Sequence, residues 1–380
     1  MKKGVVTLLV LAVILASAVV VSAQESQTGL SKFVYWMWEN VHARITGNYL
    51  GILDEPLKTQ ATPACGSTVM TSITFDIVLP CTGNEHGLII GADNIVVDCA
   101  GKRLSGTSMA SSGINIVGRS NVTIKNCPIV GFAYGIEISS TNNTLISTNS
   151  INSTVYYGIL LHDNSRNNTI LGNSLNLNGD SGIYVLSSPN NTFIGNNVRS
   201  NNLYGIRVES SPGNNITSNT LVSNGDGSSS SYGIYVYDSN NSILINNNAS
   251  SNNGFSSSGN SSGYGIYFSS SNNNRIINNN AYSNKGVSSS NCGYGYGIYL
   301  NSSWNNNIMG NIANLNNGSG SGSNSYGYGI YLFGSNNSLI NNIANSNSGS
   351  SSSLFGLGYG LFLSGSDNIL INNTANFNYG

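Results

Sequence analysis

The sequence has very little charge. Asp, Glu, Lys and Arg make up 8% of its 380 residues and the formal net charge is −1, against about a quarter charged in an ordinary soluble domain. Between Ser239 and Ser366 there is no acidic residue, and the only basic ones are Arg275 and Lys285. A chain like this offers no electrostatic footprint for nucleic acid or an anionic membrane. That stretch also has no carboxylate pair, calcium cluster or general acid. Proline is scarce, at 6 residues, and no amphipathic helical period appears in the chain's repeats. Histidine is scarcer still. His42, His86 and His162 are far apart and the 5 Met form no repeat, so neither a metal centre nor a cofactor is expected. Stretches such as "GYGYGI" imitate a dinucleotide-binding loop but lack its strand–helix context.

Long apolar runs are also missing, except at the start. "MKKGVVTLLVLAVILASAVVVSAQ" has a basic start at Lys2 and Lys3, an apolar stretch from Val5 to Val21 and small residues at Ser22 and Ala23. It reads as a signal peptide over 1–23, or as an uncleaved anchor, which would be the chain's only membrane contact. Either places the remainder outside the cytoplasm, secreted or on the cell surface. Five cysteines suit that compartment. Cys65, Cys81, Cys99 and Cys127 cluster, and two disulfides are expected, preferably Cys65–Cys81 and Cys99–Cys127 among three possible connectivities. Cys292 is left over. Residues 24–64 read as a linker or a short N-terminal cap, in which "SKFVYWMWENVHARITGNYLG" could form an aromatic-rich helix, with a membrane-surface or partner-binding segment as the alternative. The sequence stops at "NFNYG" in mid-repeat, which suggests either truncation or an open end that meets another subunit.

What the chain has in abundance is Asn, Ser and Gly in a repeat. A Gly-Ile or Gly-Leu start recurs at Gly113, Gly135, Gly158, Gly182, Gly205, Gly233, Gly265, Gly297, Gly329 and Gly360, and a divergent copy begins at Gly87. Such spacing denotes a solenoid, a propeller or an array. Within "GIYVYDSNNSILINNNASSN" the first segment alternates, with Ile234 and Val236 on one face and Tyr235 and Tyr237 on the other, so it is a half-buried strand. Two more short strands follow, separated by Asn, Gly and Ser corners, with the rung-start Gly233 read as one of them. Three strands and no helix per repeat describe one rung of a parallel β-helix of about eleven rungs over 65–380. Equivalent residues should then stack about 4.7–4.9 Å apart. One asparagine ladder is expected through Asn168, Asn191, Asn241, Asn274, Asn307, Asn337 and Asn368. A second is expected through Asn173, Asn196, Asn246, Asn278, Asn311, Asn341 and Asn372, each Asn both turning the corner and bonding its neighbour.

"GLIIGADNIVVDCAGKRLSG" followed by "GINIVGRSNVTIKNCPIVGFAYGIEISSTNNTLI" resembles the right-handed parallel β-helix repeats of the NosD-like, pectin-lyase-like superfamily, from about Cys65 to Gly380. The resemblance implies an all-β, right-handed solenoid. It leaves activity open, because that superfamily holds polysaccharide lyases, hydrolases and epimerases as well as surface proteins.

Two functions follow as expectations. The first is a secreted or cell-surface, adhesin-like role in structure or carbohydrate contact. Its candidate residues are Tyr184, Tyr235, Tyr267, Tyr299, Tyr331 and Phe362, an outward aromatic stripe interrupted by Arg207; the rings would either stack on sugars or stiffen the coil. The second is a polysaccharide-active enzyme using Glu209, Asp238, Asp163 and His162. Rung spacing allows Glu209 and Asp238 a glycosidase-like separation of about 5–7 Å. A lyase of this superfamily would use an Arg or Lys base beside acidic calcium ligands, and no such cluster stands in the sequence. Sequons at Asn121, Asn142, Asn152, Asn167, Asn190, Asn215, Asn240, Asn248, Asn260, Asn301, Asn317, Asn336 and Asn372 are potential glycan acceptors. The Ser/Gly-rich loops of the later repeats should form a flexible stacked fringe.

Overall fold

The computed structural model describes residues 63–107, 111–225, 228–322 and 324–380. The leader and nearly all of the cap or linker, with His42, lie outside them. Among the described residues every element is a strand, as the absence of helical periodicity requires.

Each repeat contributes one strand to each of two parallel walls, and the earlier repeats contribute one to a third. The first wall has twelve strands, from Ser67–Val69 to Gly356–Ser364, and the second has twelve, from Ile73–Thr74 to Ile369–Ile371. The coil therefore starts one turn before Gly87, in a stretch that lacks the Gly-Ile signature. The third wall has eight strands, from Leu79–Pro80 to Asn248–Ser250. Beyond it, single bridges continue the wall through Asn280, Ile312, Ile343 and Thr374. Register is strict: Ile206, Ile234, Ile266, Ile298 and Ile330 are successive partners. These side chains are fully buried with Ile170, Leu175 and their equivalents, each contributing about 1.5–3 kcal/mol relative to exposure.

The rung-start glycine is not a corner. Gly233 lies inside the strand Ser230–Tyr237 and takes no left-handed conformation. A Cβ there would meet the carbonyl oxygen of Gly265 at 2.6 Å and the Cβ of Ala249 at 2.9 Å. The first and third walls converge at this point, and glycine is what fits between them.

The fringe expectation is also corrected. Asn253–Ser256, Lys285–Ser288, Asn317–Gly320 and Ser348–Ser351 form a fourth parallel sheet, laid against lengthened first-wall strands such as Gly293–Asn301. Contact is backbone on backbone: a Cβ on Gly286 would lie 2.3 Å from the Tyr294 carbonyl, and one on Gly295 the same distance from that of Asn317. The Ser/Gly composition that suggested flexibility is what lets two sheets approach this closely.

The asparagine ladders exist, but the two tasks assigned to one residue are divided between neighbours. Asn241, Asn246, Asn278, Asn341 and Asn372 take positive φ, between 51° and 57°. The residue after each is the ladder step. The second ladder runs through Asn149, Asn173, Asn196, Asn219, Asn247, Asn279, Asn311, Asn342 and Asn373, and each backbone N–H donates to the next rung's Oδ1 at 2.8–3.0 Å. In the first ladder Ser242 and Asn306 stand where Asn241 and Asn307 were expected. A third ladder, from Asn178 to Asn378, closes the remaining corner.

Candidate functional site

Most of the candidate residues sit on the outer face of the first wall, where period two sends alternate side chains to solvent. One outward column runs Asn115, Glu137, Leu160, Tyr184, Arg207, Tyr235, Tyr267, Tyr299, Tyr331 and Phe362. The predicted stripe is thus one register line, and the face changes character along it.

Its N-terminal half is polar. His162 Nε2 lies 3.2 Å from Glu137 Oε1 and its Nδ1 lies 2.9 Å from Asp163 Oδ2. Glu137 also accepts from Asn115 at 3.1 Å and from Ser112, and Ser139 donates to Asp163 at 2.8 Å. The hydrogen bond from His162 holds Glu137 below the usual carboxylate range, and the Glu137 carboxylate in turn raises His162. Glu137 escaped the sequence reading, although "GIEIS" places it in the slot that tyrosine fills elsewhere. Farther along, Glu209 accepts from Arg207 at 2.8 and 2.9 Å and from the Tyr184 hydroxyl at 2.8 Å. Asp238 is exposed and accepts from Ser210 at 3.4 Å. The four proposed catalytic residues therefore fall into three local groups. His162 and Asp163 meet, while Glu209 and Asp238 have separate partners. A general acid has to be held protonated, and Glu137 is pushed the other way. Among the described residues no group of three or more His, Cys, Asp or Glu is placed to hold a metal ion.

This pair predicts a pH response. His162, raised, contributes stability that is complete below about pH 6.5 and is lost as pH rises through its folded value. Glu137, lowered, contributes stability that is complete above 4.5 and is lost as pH falls through its folded value. Thermal melts across pH should show the pair's contribution at its greatest between these limits, and His162→Gln should remove the alkaline decline.

The C-terminal half of the face is aromatic. Tyr235, Tyr267, Tyr299, Tyr331 and Phe362 stack with centroids 4.7–5.1 Å apart. A second column, Tyr204, Tyr232, Tyr264, Tyr296, Tyr328 and Tyr359, stacks beside it at 4.8–5.1 Å. The two meet edge to face, as between Tyr264 and Tyr267 at 5.1 Å. The second column was missed even though every "YG" displays it. Arg207 does not break the first column: its guanidinium lies 4.5 Å from the Tyr184 centroid and 4.9 Å from that of Tyr204, a flat cation in a ring's place. Within the stacks, ring faces are covered by neighbouring rings, and the half-exposed Tyr267, Tyr299 and Tyr331 turn their free surface outward. Burial pushes the Tyr299 phenol up to about 12 and also raises Tyr232, Tyr264, Tyr296 and Tyr328. At these five positions burial favours the neutral phenol, which keeps its O–H donor.

The cysteines pair as preferred, Cys65 with Cys81 and Cys99 with Cys127, and Cys292 is a free, half-buried thiol. The sequons separate by environment. Asn121, Asn167, Asn190, Asn336 and Asn372 occupy left-handed corners. Asn152, Asn248 and Asn317 lie in strands with their amide oxygens buried.

A family model described as the right handed beta helix region matches residues 86–249. The coil is a right-handed parallel β-helix. Among solved structures, the A-module of mannuronan C-5 epimerase AlgE4 from Azotobacter vinelandii is similar at 16% identity and TM-score 0.51, over 80% of this chain and 91% of that one. The periplasmic alginate epimerase AlgG is similar at 14% identity and TM-score 0.44, over 85% and 81%. PfbA, a surface adhesin of Streptococcus pneumoniae, is similar at 12% identity and TM-score 0.45, over 67% and 72%. No curated protein matches the sequence. At such identities the likeness concerns the β-helix alone, and the NosD-like label is narrower than what these matches carry.

Proposed function

We propose that this β-helix is a carbohydrate-contacting scaffold outside the cytoplasm, with the tyrosine face of its first wall as the contact surface. The observation that carries this reading is the double tyrosine ladder, a rigid, uncharged and hydroxyl-bearing surface. Aromatic rings with a polar tip suit a contact that is apolar at one end and wet at the other. The two disulfides fit an oxidising compartment. An enzyme reading has less support, since Glu137 and Glu209 have their oxygens occupied by fixed partners.

Stiffening the coil is the competing use of the rings, and a triple variant separates the two. Tyr267→Phe/Tyr299→Phe/Tyr331→Phe keeps every ring and removes three hydroxyls. On a glycan array the parent protein should bind, and the variant should lose at least about tenfold in affinity, or ~1.4 kcal/mol, with its melting temperature nearly unchanged. A parent that binds no glycan sinks the proposal. Turnover of a polysaccharide that is abolished by Glu209→Gln would favour the enzyme.

A further inference from the structure

Resting on that reading, we infer the class of glycan: a neutral, extended polysaccharide with equatorial 1,4 linkages, lying along the coil axis with one sugar per rung. The ladder fixes the repeat. Hydroxyl-bearing rings recur at 5.1, 5.1 and 4.7 Å from Tyr235 to Tyr331, set by the strand spacing. A pyranose linked equatorially at both ends advances its chain by nearly the same length. Such a polymer stays in phase with the phenols, whereas an axially linked one coils out of phase within a few residues. Alternate sugars face opposite ways, so the hydroxyl pattern repeats every second rung, and a uniform tyrosine column accommodates either orientation.

Charge selects the neutral class. A polyuronate brings one carboxylate per sugar and needs cations beside it. Along this part of the face the flanking residues are Ser269, Asn301 and Phe333 on one side and Ser262, Tyr294 and Tyr326 on the other. Arg207, one rung before Tyr235, is already paired with Glu209, and the two cations beyond it lie off this face, Arg275 on the second wall and Lys285 on the fourth sheet. Burial raises the Tyr299 phenol to about 12, so in the middle of the column the hydroxyl stays a neutral donor. Hydroxyl and amide groups are the surface's polar vocabulary, and they match a neutral sugar's hydroxyls.

The test is calorimetric titration of the whole chain with cello- and chito-oligosaccharides from dimer to octamer. Controls are maltohexaose, which has an axial linkage, and a hexagalacturonate, which is acidic. Affinity should rise with each sugar up to about five, the number of rungs from Tyr235 to Phe362, and then level off. Tyr299→Phe, in the middle of the column, should weaken the hexamer by about tenfold while the dimer changes little. Tyr156→Phe, on an exposed ring away from the column, should change nothing. Equal or tighter binding of maltohexaose or of the galacturonate overturns this inference and leaves carbohydrate contact standing. Affinity that does not depend on chain length overturns the axial placement. Failure to bind any of the oligomers overturns this inference, and failure to bind any glycan on the array as well overturns both readings.

Discussion

Replacing Asn279 with alanine should destabilise the coil by on the order of 3 kcal/mol, while replacing the adjacent Asn278 should cost about 1–2 kcal/mol. Asn279 is 1% exposed. Its Oδ1 accepts from the backbone N–H and the amide of Asn247, both at 2.9 Å. Its own amide donates to the Leu244 carbonyl at 2.9 Å and to Asn311 at 3.1 Å. Alanine removes all of these and leaves the buried Asn247 N–H without a partner, which is the expensive part of losing a hydrogen bond. Asn279→Asp should be at least as damaging, because a carboxylate in that slot has no N–H to donate to Leu244 or Asn311. Asn278 has a different task. At φ 52° it needs a residue that accepts left-handed backbone, so Asn278→Gly should be nearly neutral and Asn278→Ala should not. Urea unfolding of the four variants checks the division. Because a solenoid's stability is built from contacts between neighbouring rungs, the Asn279 variants should also show a broadened transition as the two halves of the coil uncouple.

The second large effect belongs to Gly297. A Cβ there would meet the carbonyl oxygen of Gly329 at 2.6 Å, the Asn316 amide nitrogen at 2.7 Å and the Ala313 Cβ at 2.8 Å. Ile298 next to it is fully buried, so the strand cannot rotate away without exposing its core residue. Gly297→Ala should destabilise by about 3 kcal/mol or more, at the upper end of overpacking. Gly101, which has φ 77° and open space around it, gives the contrast. Gly101→Ala should cost only about 1–2 kcal/mol for the left-handed backbone, and Gly101→Asn less than that. Thermal melts of the three variants, with hydrogen exchange across Gly293–Asn301, distinguish a clash from backbone strain. If Gly297→Ala melts with the parent protein, the convergence of the first and third walls is looser than described.

How much could be read in advance depended on the kind of pattern involved. The alternation of Ile234 and Val236 with Tyr235 and Tyr237 was enough to place a strand and its faces, because side-chain direction in a strand has period two whatever surrounds it. The outward column from Tyr184 to Phe362 followed from that period and the repeat. Single-residue register at the corners did not. In "NNN" runs nothing local distinguishes the Asn that takes positive φ from the one that bonds across rungs, so Asn246 was taken for Asn247 and Asn278 for Asn279. The Ser/Gly loops were misread for a related reason. The composition that marks a flexible linker is also the one that permits glycine-to-glycine sheet contact, and only the partner strand tells them apart. Glu137 and Arg207 were visible as residues, but the groups that meet them across rungs, Asn115 and His162 for Glu137 and Tyr184 for Arg207, are 22 to 25 positions away.

By itself, the sequence determined a three-walled parallel coil, its buried Ile, Leu and Val lines and the absence of carboxylates from Ser239 to Ser366. Each of these depends on periodicity and composition, which are one-dimensional. The tertiary structure alone decided which asparagine bonds and which turns, why the rung-start residue must be glycine, that the fringe is a sheet, and that His162 joins Glu137 of one neighbouring rung as Tyr184 joins Glu209 of another. Each of those depends on a distance between atoms on different rungs, and such a distance exists only once the chain has wound into register.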